Sequence, residues 1–403
     1  MYKRYSIFSG TYKINQIIYI LFKTILSLFS KKNFVISYEE KLSKLYNKKY
    51  AVSFASGRMA LYAILKSLKL KENDEIIIAP FTCVVVINAI LYAKCKPIYC
   101  DIDKKNYCIN LENLHEKINT KTKLIYIQHT FGYNLDFSKL NHIIKKNNIL
   151  IIEDAAHHFR INNNYKSDLI FNSSDSSKIF DTYLGGTAFT NNHNIYREIK
   201  KIQTNSREFS LFNKFRIIIS FFIKTFLHNP NIYLIGKYLN SICQKLSIYY
   251  SFNDEMQIKL KNNNYTYKIF NFIALIGLEQ IKDIENNINH RSNIVSSINN
   301  ILQIYNFKNR PPPLLRYSFM VQSRKDFEKI FKDYYLSIWF KSMFEGRNAN
   351  FEDINYIKGS CPNAEYASKH IVNIPTHSNI KLENLVQLLK KNRNRIIENI
   401  IRG

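Results

Sequence analysis

The chain has 403 residues, of which 46% are hydrophobic, so it can bury a sizeable core and a two-domain organisation is expected. Its 58 Lys and Arg against 31 Asp and Glu give a formal charge of +27. No zinc-finger, RNA-recognition or helix-turn-helix signature accompanies that charge, and a compositional bias toward Lys, Asn, Ile and Tyr can produce it, so no nucleic-acid partner is expected. The six cysteines form no CxxC pair, which argues against a disulfide framework and favours a reduced cytoplasmic compartment.

The N-terminal segment, residues 1–36, carries six basic residues and no acidic one, with Ile and Leu spaced as on an amphipathic helix. Lys23 interrupts its apolar run and no A-x-A cleavage site follows, so a signal peptide is not expected. The run is also too short and too broken to span a bilayer. This segment could lie against a membrane surface or pack on the body of the protein.

From about Lys49, short apolar runs alternate with segments of helical period. The alternation predicts an α/β fold with a mostly parallel central sheet flanked by helices. In such sheets ligands bind beyond the carboxyl ends of the strands. The expected strands are KYAVSF, DEIIIAP, KPIYCDID, TKLIYIQHT, NILIIEDAA, KSDLIFN and GGTAFTNN, and the helical segments include RMALYAILKSL and FSKLNHIIKK.

Residues 211–250 break this rhythm with an apolar stretch that contains five Lys or Arg and no acidic residue. This insertion could touch a membrane or a partner, or it could form a buried helical pair at a dimer interface. We expect it to interrupt a large cofactor-binding domain at 37–265. A long connecting helix is expected at 266–300, followed by a smaller α+β domain at 301–403.

Polar residues follow several expected strands. Ser56, Gly57 and Arg58 follow the first strand and open a helix whose free amides form an anion site. Asp154 ends another strand, and Lys178 stands between a hydroxyl-rich strand end and a Gly-Gly pair. A phosphate site, a carboxylate and an amine in one sheet are what pyridoxal 5'-phosphate (PLP) needs.

Taken together, these motifs resemble the DegT/DnrJ/StrS sugar aminotransferases, PLP enzymes of the aspartate-aminotransferase fold (fold type I). The resemblance covers roughly Tyr38 to the end of the chain, apart from the insertion at 211–250. It is carried by FASGRMALYAIL, NDEIIIAPFTCVVVINAILYAKCKPIYCDID, IIEDAAH, a serine five residues before Lys178, IALIGLEQ with Arg291, and CPNAEYASKHIVNIPTH.

The resemblance implies roles for individual residues. Lys178 matches the Schiff-base lysine, which also shuttles a proton, and burial would lower its pKa in the required direction. Asp154 matches the partner of the pyridinium nitrogen, and His157 matches a residue beside the cofactor ring. Ser173 matches a phosphate-binding serine, and the Gly57–Arg58 pair matches a phosphate-binding Gly-Thr.

The chain also departs from the family pattern. Arg58 replaces a threonine, and Cys83 stands where an aromatic ring commonly stacks on the cofactor. Thr266 stands where an Asn of the neighbouring subunit reaches the phosphate, although Asn264 is close enough in sequence to substitute. The stretch between Asp154 and Lys178 is shorter than usual.

The resemblance implies an aminotransferase that moves an amino group from an amino acid, expected to be glutamate, to a nucleotide-linked keto-sugar for cell-surface polysaccharide or lipopolysaccharide biosynthesis. It also implies a cytoplasmic homodimer with shared active sites, which could contact a membrane peripherally. One alternative is a PLP-dependent sugar dehydratase, in which histidine replaces the lysine that Lys178 matches. Another is a non-catalytic relative that binds a ligand or a partner.

The acids and histidines of LIIEDAAHHF suggest a metal site, but their geometry argues against it. Successive residues of a strand point to opposite faces of the sheet, so Glu153 and Asp154 cannot converge. His157 and His158 cannot both face one point either. We therefore expect no metal, and we interpret His158, His129 and His377 as structural.

Overall fold

The computed structural model describes residues 5, 12–28, 32–138, 140, 149–159, 167–230, 232–250, 252, 265–334, 336, 338–346 and 350–401. These residues form thirteen α-helices and eleven β-strands. In chain order the elements are α1 (Ile14–Leu28), α2 (Phe34–Leu45), β1 (Tyr50–Phe54), α3 (Gly57–Ser67), β2 (Glu75–Ile78), β3 (Thr82–Cys83), α4 (Val84–Tyr92), β4 (Lys96–Tyr99), α5 (Leu111–Lys117), β5 (Thr122–Gln128), β6 (Leu150–Asp154), β7 (Leu169–Ser173), β8 (Gly186–Thr190), α6 (His193–Thr204), α7 (Leu211–Leu227), α8 (Tyr233–Lys245), α9 (Asn271–Leu302), β9 (Arg316–Met320), α10 (Arg324–Ile330), β10 (Phe344–Glu345), α11 (Pro362–His370), β11 (Ile371–Pro375), α12 (Leu382–Lys391) and α13 (Arg393–Asn399).

A seven-stranded sheet with the order β1-β8-β7-β6-β5-β2-β4 forms the centre of the fold. Strand β8 is antiparallel to both of its neighbours, and the remaining pairs are parallel. Strands β2 and β8 are buried along their whole length, as expected when both faces of a sheet are covered. The predicted α/β class, with its mostly parallel sheet, is confirmed.

The strand ends of this sheet lie where the sequence places its polar residues. Strand β6 ends at Asp154, which is paired with Gln128 of β5 and Phe171 of β7. Strand β7 ends at Ser173, which lies opposite Gly186 of β8. Most of the helical segment FSKLNHIIKK lies outside the described residues.

Helix α9 runs for 32 residues to Leu302, and the next residue, Gln303, closes it with a left-handed cap at a φ of 52°. It begins at Asn271, five residues later than the expected 266. The preceding segment is extended along the sheet instead, because the Ala55 amide donates to the Tyr267 carbonyl at 2.9 Å. Strands β9 and β11 pair antiparallel in a separate small sheet.

The insertion at 211–250 forms helices α7 and α8, which we call the apolar hairpin. Helix α7 buries Ile217 and Phe221 but exposes apolar side chains near both of its ends, and the outer helix α8 also leaves a row of apolar side chains in solvent. Gly236 lets the two helices approach, since a Cβ there would lie 2.0 Å from the Leu227 carbonyl oxygen. A single chain therefore does not form the fully buried helical pair that was one of the two expected alternatives for residues 211–250.

Candidate functional site

Asp154 is a buried carboxylate at the end of a central strand. It is 3% exposed, its Oδ2 accepts a hydrogen bond from the Tyr126 hydroxyl, and its Oδ1 accepts one from the Ala156 amide at 2.7 Å. Burial raises the pKa of Asp154, although these hydrogen bonds and the nearby charge of Lys178 act in the opposite direction. A cation placed against this carboxylate would favour its ionised form.

Lys178 lies in the loop between β7 and β8, close enough to Asp154 for each charge to affect the pKa of the other. Its Nζ lies 4.7 Å from the centroid of the Trp339 ring. Burial lowers the pKa of Lys178, and the positive charge of Arg316 lowers it further, whereas Asp175 and Asp154 partly offset the shift. The amine is thus biased toward the neutral form that nucleophilic and proton-transfer chemistry requires.

The start of helix α3 forms a tight backbone cradle beside the end of β7. A Cβ at Gly57 would lie 2.7 Å from the Ser173 Cβ, and one at Gly186 would lie 2.3 Å from the Gly57 Cα. The N-cap residue Ser56 makes no side-chain cap, and its buried Oγ has no hydrogen-bond partner among the described residues. An orphaned hydroxyl beside free helix amides fits a phosphate group.

Two of the departures from the family pattern flank this cradle. The Arg58 Nη2 donates to the Phe252 carbonyl at 3.3 Å, and its guanidinium lies 5.4 Å from the Phe252 ring centroid. Cys83 caps helix α4, and its Sγ donates to the Glu345 carbonyl at 3.4 Å. Burial raises the pKa of the Cys83 thiol, while Lys178 and Arg58 lower it, which places both cations near this cysteine.

His157 lies among aromatic rings next to Asp154. Its Nδ1 accepts from the Phe131 amide at 3.3 Å, and its ring centroid lies 5.4 Å from that of Trp339. Burial, together with the charges of Lys178 and Arg316, holds the pKa of His157 well below its usual range. The imidazole is therefore neutral at pH 7.

The neighbouring acid, Glu153, faces the other side of the sheet. It is fully buried, accepts from the Ser167 amide at 2.7 Å and pairs with the His129 Nε2 at 2.8 Å. His158 lies on that side too, with its ring centroid 4.8 Å from that of His129. Among the described residues, no group of three or more His, Cys, Asp or Glu side chains is arranged to hold a metal ion.

Trp339 and Arg316, which were not expected from the sequence, extend the cluster from Lys178. The Trp339 ring contacts both cations, with the Arg316 guanidinium 4.1 Å and the Lys178 Nζ 4.7 Å from its centroid. It is the only tryptophan in the chain, and this was the one signal that could have singled it out. Trp339 therefore supplies an aromatic ring beside Lys178, whereas Cys83, at the position where the family commonly has an aromatic residue, supplies none.

A narrow cavity beside this cluster is rich in cations. Its lining includes Ser177, Arg291, Arg316 and His377 and contains no acidic side chain. Arg291 is 1% exposed and donates to neutral oxygens of Asn287, Leu315 and Thr376. Burial lowers the pKa of Arg291 and of Arg316 to about 9, so both remain charged at neutral pH and favour an anion.

Thr266 is buried and bonds to residues of the same chain. Its Oγ1 is 2.6 Å from the Ser206 Oγ, and its carbonyl accepts from the Arg207 amide at 3.0 Å. Asn264, the other residue expected to approach a phosphate, lies outside the described residues. The cofactor roles of Lys178, Asp154, His157, Ser173, Gly57, Arg58 and Cys83 stay predictions, while the structure gathers these residues at one edge of the sheet.

Comparison with known proteins identifies relatives that act on nucleotide sugars. GDP-perosamine synthase of Escherichia coli O157:H7 is 30% identical over 174 residues, which make up 41% of this chain and 47% of that protein. The chain spans about half the length of the curated relatives that it matches.

Solved structures share the fold over nearly the whole chain. NtdA of Bacillus subtilis, with bound cofactor PMP, superposes with a TM-score of 0.74 at 16% identity and covers 98% of this chain and 86% of its own. The E. coli GDP-4-keto-6-deoxy-D-mannose-3-dehydratase, with bound hydrated PLP, superposes with a TM-score of 0.71 at 18% identity and covers 97% of this chain and 99% of its own. One family model matches residues 24–218 and 237–391. The chain belongs to the DegT/DnrJ/EryC1/StrS aminotransferase family.

Proposed function

We propose that this protein binds PLP and transfers an amino group from an amino acid to a nucleotide-linked keto-sugar. The observation that carries the proposal is the convergence of the Lys178 amine and the Asp154 carboxylate beside the cradle at Gly57. When bound, PLP supplies an aldehyde that takes up amines and a ring that withdraws electrons from the substrate carbon.

Lys178 is the proposed attachment and proton-transfer residue. Its lowered pKa gives a larger fraction of neutral amine at physiological pH than an exposed lysine has. A neutral amine can take a proton from one carbon and return it to another, provided that it stays within hydrogen-bond reach of both. Trp339, which lies against the Nζ, limits the positions that the lysine can take.

Asp154 and His157 are proposed to orient the cofactor ring. The Asp154 carboxylate, held by the Tyr126 hydroxyl and the Ala156 amide, would hold a proton on the pyridine nitrogen. The neutral His157 ring adds a flat surface without a competing positive charge.

The phosphate is proposed to lie at the start of α3. The amides of its first turn, the Ser56 hydroxyl and the Ser173 hydroxyl are hydrogen-bond donors around the Gly57 cradle, and the dipole of the helix favours negative charge there. Arg58 contributes a further positive charge, and its contact with Phe252 fixes its position.

The cation-rich cavity supports an amino-acid donor. Carboxylates placed in this cavity would add counter-charge to the buried guanidinium groups of Arg316 and Arg291. Glu345 is close enough to raise the pKa of Arg316, but it does not line the cavity. Arginine suits this task because its planar fork binds a carboxylate through two hydrogen bonds. We propose glutamate as the donor, since one of its two carboxylates can pair with Arg316 and the other with Arg291.

The acceptor is proposed to be a keto-sugar carried on a nucleotide, because relatives are named for such substrates. We further propose a cytoplasmic homodimer that serves cell-surface polysaccharide or lipopolysaccharide biosynthesis. Lys178 favours transfer of an amino group over the dehydration named for one structural neighbour, since the resemblance assigns histidine to that branch. A ligand-binding relative without catalysis is the remaining candidate, which Cys83 and Arg58 motivate.

The visible absorbance of the purified protein with added PLP tests this proposal. We expect an absorbance band that forms with the wild type, is lost in Lys178→Ala and shifts when glutamate is added. Lys224→Ala is the matched control. Burial also lowers the pKa of Lys224, but this lysine lies against Tyr183 and Tyr249 instead of the proposed cofactor site. A wild type that forms no band would favour the non-catalytic alternative.

A further inference from the structure

The outer helix of the apolar hairpin, α8, carries a continuous apolar stripe in solvent. Ile235, Tyr238, Leu239 and Ile242 recur at helical spacing on one side of the helix, and Leu246 continues the row just beyond its end. Tyr238 is 70% exposed and Leu246 is 67% exposed. An isolated exposed leucine is ordinary, but an ordered stripe indicates a surface that is covered in use.

Helix α1 shows the same arrangement elsewhere on the surface. Ile14, Ile18, Phe22 and Ile25 are all exposed and follow one face of the helix. The chain just before α1 touches the apolar hairpin, where the Tyr12 ring packs edge-on against Phe221 at 5.0 Å. The chain before α1 therefore contacts helix α7 of the apolar hairpin.

The charge of these segments identifies the chemistry of their partner. Residues 211–250 contain five Lys or Arg and no Asp or Glu. Residues 1–36 contain six Lys or Arg and no Asp or Glu. Lys245 is exposed and follows Ile242 by three positions, so it lies beside the stripe. An exposed apolar stripe that is bordered by Lys245, in a segment without any acidic residue, complements an anionic lipid bilayer.

A second copy of this chain fits the stripe less well. A two-fold contact through the stripe places the same patch against itself, so it would bring together two copies of Lys245 from segments that contain no Asp or Glu. None of the described helices is long and apolar enough to cross a membrane. We propose that the apolar hairpin docks the protein onto the surface of an anionic phospholipid bilayer, with the α8 stripe in the interface and Lys245 among the head groups.

Co-sedimentation of the full chain with vesicles at physiological salt tests this proposal. We expect the wild type to bind vesicles of phosphatidylcholine mixed with phosphatidylglycerol and to bind phosphatidylcholine alone much more weakly. The triple variant Ile235→Gln, Tyr238→Gln, Ile242→Gln keeps the charge and changes only exposed side chains, so it should fold but bind at least about tenfold more weakly. Lys245→Glu should weaken binding by roughly fivefold or more.

The matched control is Ile357→Gln with Tyr366→Gln, which removes exposed apolar side chains outside the hairpin and should leave vesicle binding unchanged. Two outcomes overturn the proposal. The wild type could remain in the supernatant with anionic vesicles. Alternatively, light scattering without vesicles could show that the triple variant loses an oligomer that the wild type forms, which would make a second copy the partner. Neither readout depends on enzymatic activity.

Discussion

Two adjacent acids, Glu153 and Asp154, take opposite roles because a strand turns successive side chains to opposite faces. Asp154 faces Tyr126 and the charge of Lys178. Glu153 faces His129 and Ser167, whose hydrogen bonds outweigh the effect of burial and hold the pKa of Glu153 below its usual value. The pair therefore provides its own control, with one acid at the proposed active site and the other in the structural core.

For Asp154→Asn, we expect aminotransferase activity to fall by about 10²–10⁴-fold, the range typical of a positioned proton-handling group. The neutral amide would no longer stabilise the positive charge on the protonated pyridine nitrogen of the cofactor. Folding should be preserved. Glu153→Gln should instead lower the free energy of unfolding by about 1–3 kcal/mol while leaving the cofactor absorbance intact. Activity assays and chemical denaturation of both variants check this. Equal losses of activity at both positions would contradict the assignment.

Arg316 provides a test of the proposed donor site. For Arg316→Gln, we expect the KM for glutamate to rise by roughly 10–100-fold, the loss expected for hydrogen bonds to a charged group. The KM for the sugar substrate should change little. Arg310→Gln is the matched control, because Arg310 is exposed and bonds only Asn293 and Asn289 among described partners. An unchanged KM for glutamate in Arg316→Gln would remove Arg316 from the donor site.

The sequence identified Asp154 and Lys178 because they lie close to strand ends in recognisable motifs. Trp339 and Arg316 could not be found in this way. They come from a region far along the chain, and only tertiary packing brings Trp339 against Lys178 and Arg316. The position of a long side chain across a domain contact leaves no local pattern in the sequence.

At the scale of elements, the most constrained contact joins the start of α3 to the end of β7. Gly57→Ala would place a Cβ 2.7 Å from the Ser173 Cβ and 3.1 Å from the Asn172 carbonyl oxygen. We expect overpacking to cost about 1–3 kcal/mol of unfolding free energy and PLP affinity to fall with it. Thermal denaturation and spectral titration measure the two effects.

The double variant Gly57→Ala, Ser173→Gly should recover part of the lost stability, because it removes the nearest contact. Ser67→Ala, in the last turn of the same helix, should leave PLP affinity unchanged. If Gly57→Ala bound PLP as tightly as the wild type, the cradle would not be the phosphate site.

Strand positions were the most predictable elements, because β2 and β8 are unbroken buried runs and β5 is interrupted only by the exposed Lys123. The start of α9 was not predictable to the residue. Helical periodicity extends back toward 266, but the hydrogen bond between Ala55 and Tyr267 holds that segment extended. A tertiary contact therefore overrides local propensity there.

At the scale of the whole molecule, Asp101 connects the central sheet to the C-terminal region. Helix α11 begins at Pro362 without a side-chain cap from Cys361. Instead, Asp101 accepts from the amides of Asn363 at 2.9 Å and Ala364 at 3.0 Å. A residue more than two hundred positions away thus supplies the cap, which no local motif could have predicted.

For Asp101→Ala, we expect the free energy of unfolding to fall by about 0.5–2 kcal/mol, the usual cost of losing a helix cap. Asp103→Ala is the control, because Asp103 bonds the amide of Lys105 in its own turn. Differential scanning calorimetry of both variants makes the comparison. A larger loss in Asp103→Ala would mean that Asp101 does not couple the two regions.

We propose that the chain divides into the N-terminal segment at 1–36, a large domain at 37–265, a connecting helix and a small domain at 301–403. The central sheet lies wholly within the second of these regions, and the small sheet of β9 and β11 lies within the last. The proposed active site draws Lys178 from the large domain and Arg316 from the small one, so it needs both.

The central claim, that this protein exchanges amino groups through a cofactor held at Lys178, is tested most directly by a single turnover without any sugar. The PLP-loaded wild type is mixed with excess glutamate, and the 2-oxoglutarate released is quantified by mass spectrometry. We predict about one equivalent of 2-oxoglutarate for each bound cofactor and none from Lys178→Ala. A cofactor-loaded wild type that releases no keto acid from glutamate or any other amino acid would contradict the account.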